Sequence, residues 1–143
     1  MITELNPIYE KAWQEQEGSG SFYYNEPDHM QRTGKKLNYP CLFRLLRTND
    51  TLKRTNVNDR YARSESFLAC IKVSDLPGPD EEALENRLLK LVQGFLRTLR
   101  KDGRIQFNVP TNYMWYRRDI EDLALCLKFD MEVSVIAEDW QCL

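Results

Sequence analysis

Residues 123–136, Leu-Ala-Leu-Cys-Leu-Lys-Phe-Asp-Met-Glu-Val-Ser-Val-Ile, alternate with a period of two. Leu123, Leu125, Leu127, Phe129, Met131, Val133 and Val135 hold the odd positions, while Lys128, Asp130, Glu132 and Ser134 hold even ones. Successive side chains of a strand point to opposite faces, so the pattern predicts one long strand with a single buried face. At ~3.3 Å per residue it would reach roughly 45 Å, so it either projects past a small domain or is paired along most of its length. Such a strand is a scaffold feature rather than a catalytic one.

The rest of the chain supplies what that strand must pack against. Asp80 to Lys101 is the clearest helix: Pro79 stands at its first turn, Asp80, Glu81 and Glu82 suit the positive end of the macrodipole, and Arg97, Arg100 and Lys101 suit the other. Leu84, Leu88, Leu91, Val92, Phe95, Leu96 and Leu99 form a stripe wide enough to cover a sheet. Burying it at about 1.5–3 kcal/mol per side chain supplies on the order of 10–20 kcal/mol before entropy is subtracted. Asn6 to Glu17 reads as a second amphipathic helix, with Asn6 as N-cap, Pro7 at the first helical position, and Ile8, Tyr9, Ala12 and Trp13 on its apolar side. Tyr39 to Arg47 reads as a strand with Cys41, Phe43 and Leu45 inward. Glu65 to Ser74 reads as another, with Phe67, Ala69, Ile71 and Val73 opposed to Ser66, Leu68, Cys70 and Lys72; Asn112 to Arg117 is a third. Arg104 to Pro110 fits no single template.

The order helix, strand, strand, helix, strand, strand predicts a single α+β domain over residues 1–143. Its mixed or antiparallel sheet has about four strands, with helices packed mainly on one face. Residues 18–38 and 48–64 are expected to be long flexible loops. A chain of 143 residues with 42% hydrophobic content is large enough for one core.

Composition narrows the chemistry. Twenty basic and twenty-two acidic residues give a net charge of −2, against a protein that holds nucleic acid by its overall field. The charge is uneven, however: Arg44, Arg47, Lys53, Arg54, Arg60 and Arg63 precede an acidic cluster of Asp75, Asp80, Glu81, Glu82 and Glu85, an asymmetry suited to subunits that meet head to tail. Cys41, Cys70, Cys126 and Cys142 form no C-x-x-C pair and read as reduced core residues. His29, the only histidine, lies in a loop without a nucleophile motif. Gly18-Ser19-Gly20-Ser21 follows a helix rather than a strand, the wrong context for a phosphate loop. Asp119, Glu121, Asp122, Asp130 and Glu132 read as solvated charge rather than a divalent-metal site, because strand positions alternate faces. No enzyme, cofactor or metal is expected. The amino-terminal Met-Ile-Thr-Glu-Leu-Asn-Pro has neither a basic nor an apolar region, so the expectation is a protein without signal peptide or membrane span, kept in the cytoplasm.

In the order of its elements the chain resembles the tail-terminator or tail-completion proteins of long-tailed bacteriophages. The segments that carry the resemblance are Tyr39-Pro40-Cys41-Leu42-Phe43, Phe67 to Val73, the helix Glu81 to Leu99, and Tyr116-Arg117-Arg118-Asp119 followed by Leu123 to Val135. The loops 18–38 and 48–64 depart from that family's pattern. What the resemblance implies is a homomeric ring, typically hexameric, that caps the tail tube protein, stops tube growth and offers its other surface to a head-completion or connector protein. Such a ring is assembled in the host cytoplasm and then resides in the virion tail or neck. The subunit or partner interface would be Arg47, Lys53, Arg54, Arg60 and Arg63 of one copy against Asp80, Glu81, Glu82 and Glu85 of the next. The alternative is a nucleic-acid-binding accessory protein that uses the basic segment 44–63, with Tyr113, Trp115 and Tyr116 as a stacking platform.

Overall fold

The computed structural model describes residues 4–24, 27, 37–45, 53–54, 60–73, 81–119 and 123–136. The fold is α+β, with elements in the order α1 (Asn6–Gln14), β1 (Phe22–Tyr24), β2 (Cys41–Arg44), β3 (Lys53–Arg54), β4 (Arg60–Lys72), α2 (Glu81–Arg100), β5 (Ile105–Phe107), β6 (Tyr113–Asp119) and β7 (Leu123–Ile136). The four expected strands are β2, β4, β6 and β7. Three short ones, β1, β3 and β5, complete a seven-stranded mixed sheet among the described residues.

The sheet is built on one ribbon. β4 and β7 pair antiparallel without a break from Arg60↔Ile136 to Lys72↔Ala124, so the long strand is paired along nearly all of its length. At one end of the ribbon β2 flanks β4, β1 adds to β2 in parallel, and β6 flanks β7, giving the order β1-β2-β4-β7-β6. At the other end the order is β3-β4-β7-β5. Both segments expected as loops therefore contain strand: β1 lies within 18–38, and β3 and the start of β4 lie within 48–64. The physical reason is the length of β7, which offers backbone partners to residues 60–64 that local composition alone would leave in a loop.

Both helices cover one face. The odd residues of β7 from Leu125 to Val135 are buried in one cluster with Leu88, Val92, Phe95 and Leu99 of α2 and Ile8, Tyr9 and Trp13 of α1. Phe67 stands at its centre, edge-on to Tyr9 at 5.0 Å and to Phe95 at 5.6 Å, and stacked on Phe129 at 5.4 Å. Gln16 clasps the helices together, its Nε2 donating to Ala12 O and to Thr98 Oγ1, both at 2.9 Å. A Cβ at Gly94 would overlap the Gln16 amide, so the glycine leaves room for that side chain between the helices. The cap of α1 also differs from expectation. Leu5 occupies the N-cap position without a side-chain bond, and Asn6 turns its carbonyl to Arg44 instead.

The sheet is buried on both faces at its five-stranded end. Cys41, Phe43, Leu68, Cys70, Ala124 and Cys126 form a second cluster opposite the helices, edged by Tyr23, Tyr39 and Tyr116. β7 thus departs from the single buried face its alternation predicts, because Ala124 and Cys126 are fully enclosed. β2 departs likewise: Cys41 and Phe43 point to this second cluster, and Leu42 and Arg44 point to the helices.

β1 is held by a close approach at Gly20. Its N–H donates to Pro40 O at 2.6 Å, Ser21 N–H donates to Asn38 O at 2.9 Å, and Leu42 N–H donates to Ser21 O at 3.0 Å. The Tyr39–Pro40 peptide is cis. A Cβ on Gly20 would overlap the Asn38 carbonyl and lie 2.7 Å from Pro40 O, both backbone atoms that cannot swing aside. Gly20→Ala should therefore destabilise by about 1–3 kcal/mol in urea unfolding; a midpoint unchanged from the parent would show that the turn has room to relax.

Candidate functional site

Charges buried beneath the helices are the most unusual feature of the described residues. Arg44 and Glu65 take inward-facing positions, in line with Leu42 on β2 and Phe67 on β4, and they are 4% and 1% exposed. The pair is bidentate: Arg44 Nε donates to Glu65 Oε2 at 2.6 Å and Nη2 donates to Oε1 at 2.9 Å. Arg44 Nη1 also donates to Asn6 Oδ1 at 2.7 Å, and Arg63 Nε lies 3.0 Å from Glu65 Oε1. The guanidinium sits over the rings of Tyr9 and Tyr24, 5.1 and 4.5 Å from their centroids. Burial works to lower the Arg44 pKa, and the hydrogen bonds and charge of Glu65 more than offset it, so the group is held cationic above its usual range. This network ties α1, β1, β2 and β4 together. The Glu65 carboxylate accepts a hydrogen bond from Arg44 at each oxygen and has the Arg63 guanidinium beside it as a second cation, an arrangement that fixes the relative position of these elements.

On the opposite face Cys41, Cys70 and Cys126 lie abreast on β2, β4 and β7, in register with one another and fully buried. The sulfurs of Cys70 and Cys126 are 3.3 Å apart. Burial and hydrogen bonds among the thiols, the bond to Cys126 foremost, push the Cys70 pKa up. Among the described residues no group of three or more His, Cys, Asp or Glu is placed to hold a metal ion. Asp130 and Glu132 are exposed on the even face of β7, where Asp130 Oδ1 accepts from Ser66 Oγ at 2.6 Å.

Three of the four exposed large hydrophobic residues among those described lie on the sheet's lateral strands. Tyr24 on β1 is 39% exposed, and on β6 Met114 and Trp115 are 59% and 38% exposed, with Val109 just before them. β1 and β6 are the outermost strands at the five-stranded end, on opposite sides, and each pairs with one neighbour only among the described residues. A groove of about 520 Å³ between α1 and the end of α2 is bordered by Lys11, Glu15, Lys101, Asp102 and Arg104. The side chain of Arg104 hydrogen-bonds to Asp102 and keeps that carboxyl below its usual pKa.

The charged residues expected at a subunit interface fall at two ends of the molecule. Lys53, Arg54 and Arg60 belong to β3 and the start of β4, beside β5 and the end of β7. Glu81, Glu82 and Glu85 open α2 at the other end, where Glu81 pairs with Arg117 of β6. Arg63 is engaged with Glu65 and Glu81 with Arg117 inside the same chain, while Glu82 is exposed and Glu85 half-buried. Arg47 and Asp80 lie outside the described residues, as do His29 and Cys142. The Arg44–Glu65 pair was legible in one respect only: opposite charges occupy apolar-parity positions on successive strands.

No helix among the described residues is long and apolar enough to cross a membrane. No known protein-family profile matches the chain, and no curated protein matches it in sequence.

Proposed function

We propose that this chain is a non-enzymatic structural protein of a phage or prophage particle, a homomeric ring subunit that completes the tail tube at the head–tail junction. The observation that carries the reading is the pair of outermost strands among the described residues: β1 and β6 flank the same end of one sheet, and three of the four exposed large hydrophobic side chains described, Tyr24, Met114 and Trp115, sit on them. An open edge with apolar side chains beside it is a template for another strand, and edges on opposite sides of a subunit let copies join head to tail, the contact type that closes into rings. Five strands abreast at ~4.8 Å, repeated in six copies, give a closed sheet roughly 45 Å across, a size suited to surrounding a tube lumen.

The separation of charge supports axial stacking on partners. The basic residues Lys53, Arg54 and Arg60 stand at one end of the ribbon and the acidic Glu82 and Glu85 at the other, which gives the ring two electrostatically distinct rims for the tube protein and for a head-completion or connector protein. The nucleic-acid reading is left with fewer cations, since Arg44 is buried and Arg63 is bound to Glu65.

Light scattering coupled to size-exclusion chromatography, with negative-stain imaging, tests the proposal. Rings are expected for the parent chain, and Met114→Glu, at an exposed edge position, should shift them at least about tenfold in concentration toward the monomer. Arg54→Glu with Arg60→Glu should leave the ring intact and weaken capture of tube protein. A monomer at every concentration, alone and with tube protein, would sink the reading, and salt-dependent binding of an oligonucleotide lost with Arg54 and Arg60 would put the accessory protein in its place.

A further inference from the structure

Strand register, rather than the cysteine content, singles out one pair of thiols. In an antiparallel ladder, directly opposed residues alternate between hydrogen-bonded pairs and non-hydrogen-bonded pairs, and in the latter the side chains stand closer. Val73 N–H donates to Leu123 O at 3.0 Å, so the pair 73/123 is hydrogen-bonded, and counting along β4 and β7 makes Cys70/Cys126 non-hydrogen-bonded. On the other side of β4, Leu45 N–H donates to Ser66 O at 2.9 Å, and the same count makes Cys41/Cys70 the wider, hydrogen-bonded kind. A non-hydrogen-bonded pair brings Cα atoms to about 4.5 Å, inside the range of about 4.4–6.8 Å that a disulfide spans. The 3.3 Å approach of the two sulfurs agrees with that count.

We propose that Cys70 and Cys126 are an oxidisable pair that closes a cross-strand disulfide between the two central strands, with Cys41 remaining a thiol. In the reaction two S–H bonds break and one S–S bond forms, and a hydroperoxide supplies the oxidising equivalents. One thiolate attacks hydrogen peroxide, breaking the O–O bond to give a sulfenic acid and hydroxide, which takes up the proton that thiol released; the second thiol then displaces water from the sulfenic acid to form the S–S bond. The thiolate is the reactive form, and hydrogen bonding and burial keep Cys70 protonated, so closure is slow at neutral pH and quickens as pH rises. The bond requires no movement of strands, because the partners already face one another in register. Where the ring reading holds, the pair stays reduced during assembly in the cytoplasm and closes once the particle meets an oxidising medium; the chemistry itself rests only on the sheet.

The test uses the full chain, incubated with hydrogen peroxide at a series of pH values, alkylated under denaturing conditions and mapped by mass spectrometry without reduction. The expected result is a linked pair of peptides carrying Cys70 and Cys126, formed faster at higher pH, with Cys41 alkylated, and an unfolding midpoint that rises on oxidation and falls back with dithiothreitol. Cys41→Ala should leave that link in place, and Cys126→Ala should lose it without transferring the bond to Cys41. Full alkylation of all thiols after oxidation, or a Cys41–Cys70 link as the main product in the parent chain, would overturn the proposal. Because the map is read on the parent chain and needs no assembly, a negative result leaves the ring reading standing, and a monomeric protein leaves this one standing.

Discussion

Glu65→Ala should be one of the most damaging single substitutions in this protein, at about 3–5 kcal/mol of lost stability, enough to leave much of the chain unfolded at 37 °C. The carboxylate neutralises Arg44, which is 4% exposed, and it also pairs with Arg63. Removing it leaves a desolvated cation between two tyrosine rings, with Asn6 Oδ1 as its remaining polar partner among the described residues. The double variant Arg44→Leu with Glu65→Leu removes both charges and refills the space with apolar atoms, so it should recover most of the loss. Denaturant unfolding of the two single variants and the double variant measures the coupling directly. If the double variant is as unstable as the sum of the singles, the network is not acting as a compensated pair.

Phe95→Ala should cost a comparable 3–5 kcal/mol. Phe95 is fully buried where α2 crosses α1, with ring centroids 5.6 Å from Phe67, 6.2 Å from Trp13 and 6.3 Å from Tyr9. The cavity would open between two helices and a rigid sheet, a site with little freedom to collapse. Phe95→Leu keeps most of the volume and should lose roughly half as much. Equal losses for the two variants would mean that the aromatic edge contacts, rather than filled space, hold the helices to the sheet.

Periodic segments were readable from residues alone, and nonlocal ones were not. The helix expected over Asp80 to Lys101 is observed as Glu81–Arg100, and the long final strand is observed as Leu123–Ile136, because each carries enough turns or alternations for its burial pattern to average out local accidents. β1 has three residues and no period; it exists because the carbonyls of Asn38 and Pro40 meet Gly20 and Ser21 across the chain. The cysteines read as core residues from composition, but that Leu68, Cys70 and Cys126 share a second buried face with Cys41 follows only from the sheet register, since those three stand on the weaker side of their own strands' alternation. Charge spacing alone groups Arg44 with the basic residues that follow it, because such spacing ignores strand parity. Its alignment with Leu42, set against Glu65 aligned with Phe67, was the available clue. That β1 and β6 are the outermost strands among the described residues is decided by packing rather than by any short motif.

The unbroken pairing of β4 with β7 also governs how the chain can reach this structure. Its partners are more than fifty residues apart, from Lys72 with Ala124 to Arg60 with Ile136, and α2, β5 and β6 all lie in between. The sheet therefore cannot zip up from a tight hairpin. A large loop has to close before the central ladder gains anything, which places this topology among the slower folders, on the order of milliseconds to seconds. Until that closure the apolar side of β7 has no cover, so the interval between synthesis of its fourteen residues and closure of the ladder is the moment of greatest exposure to aggregation.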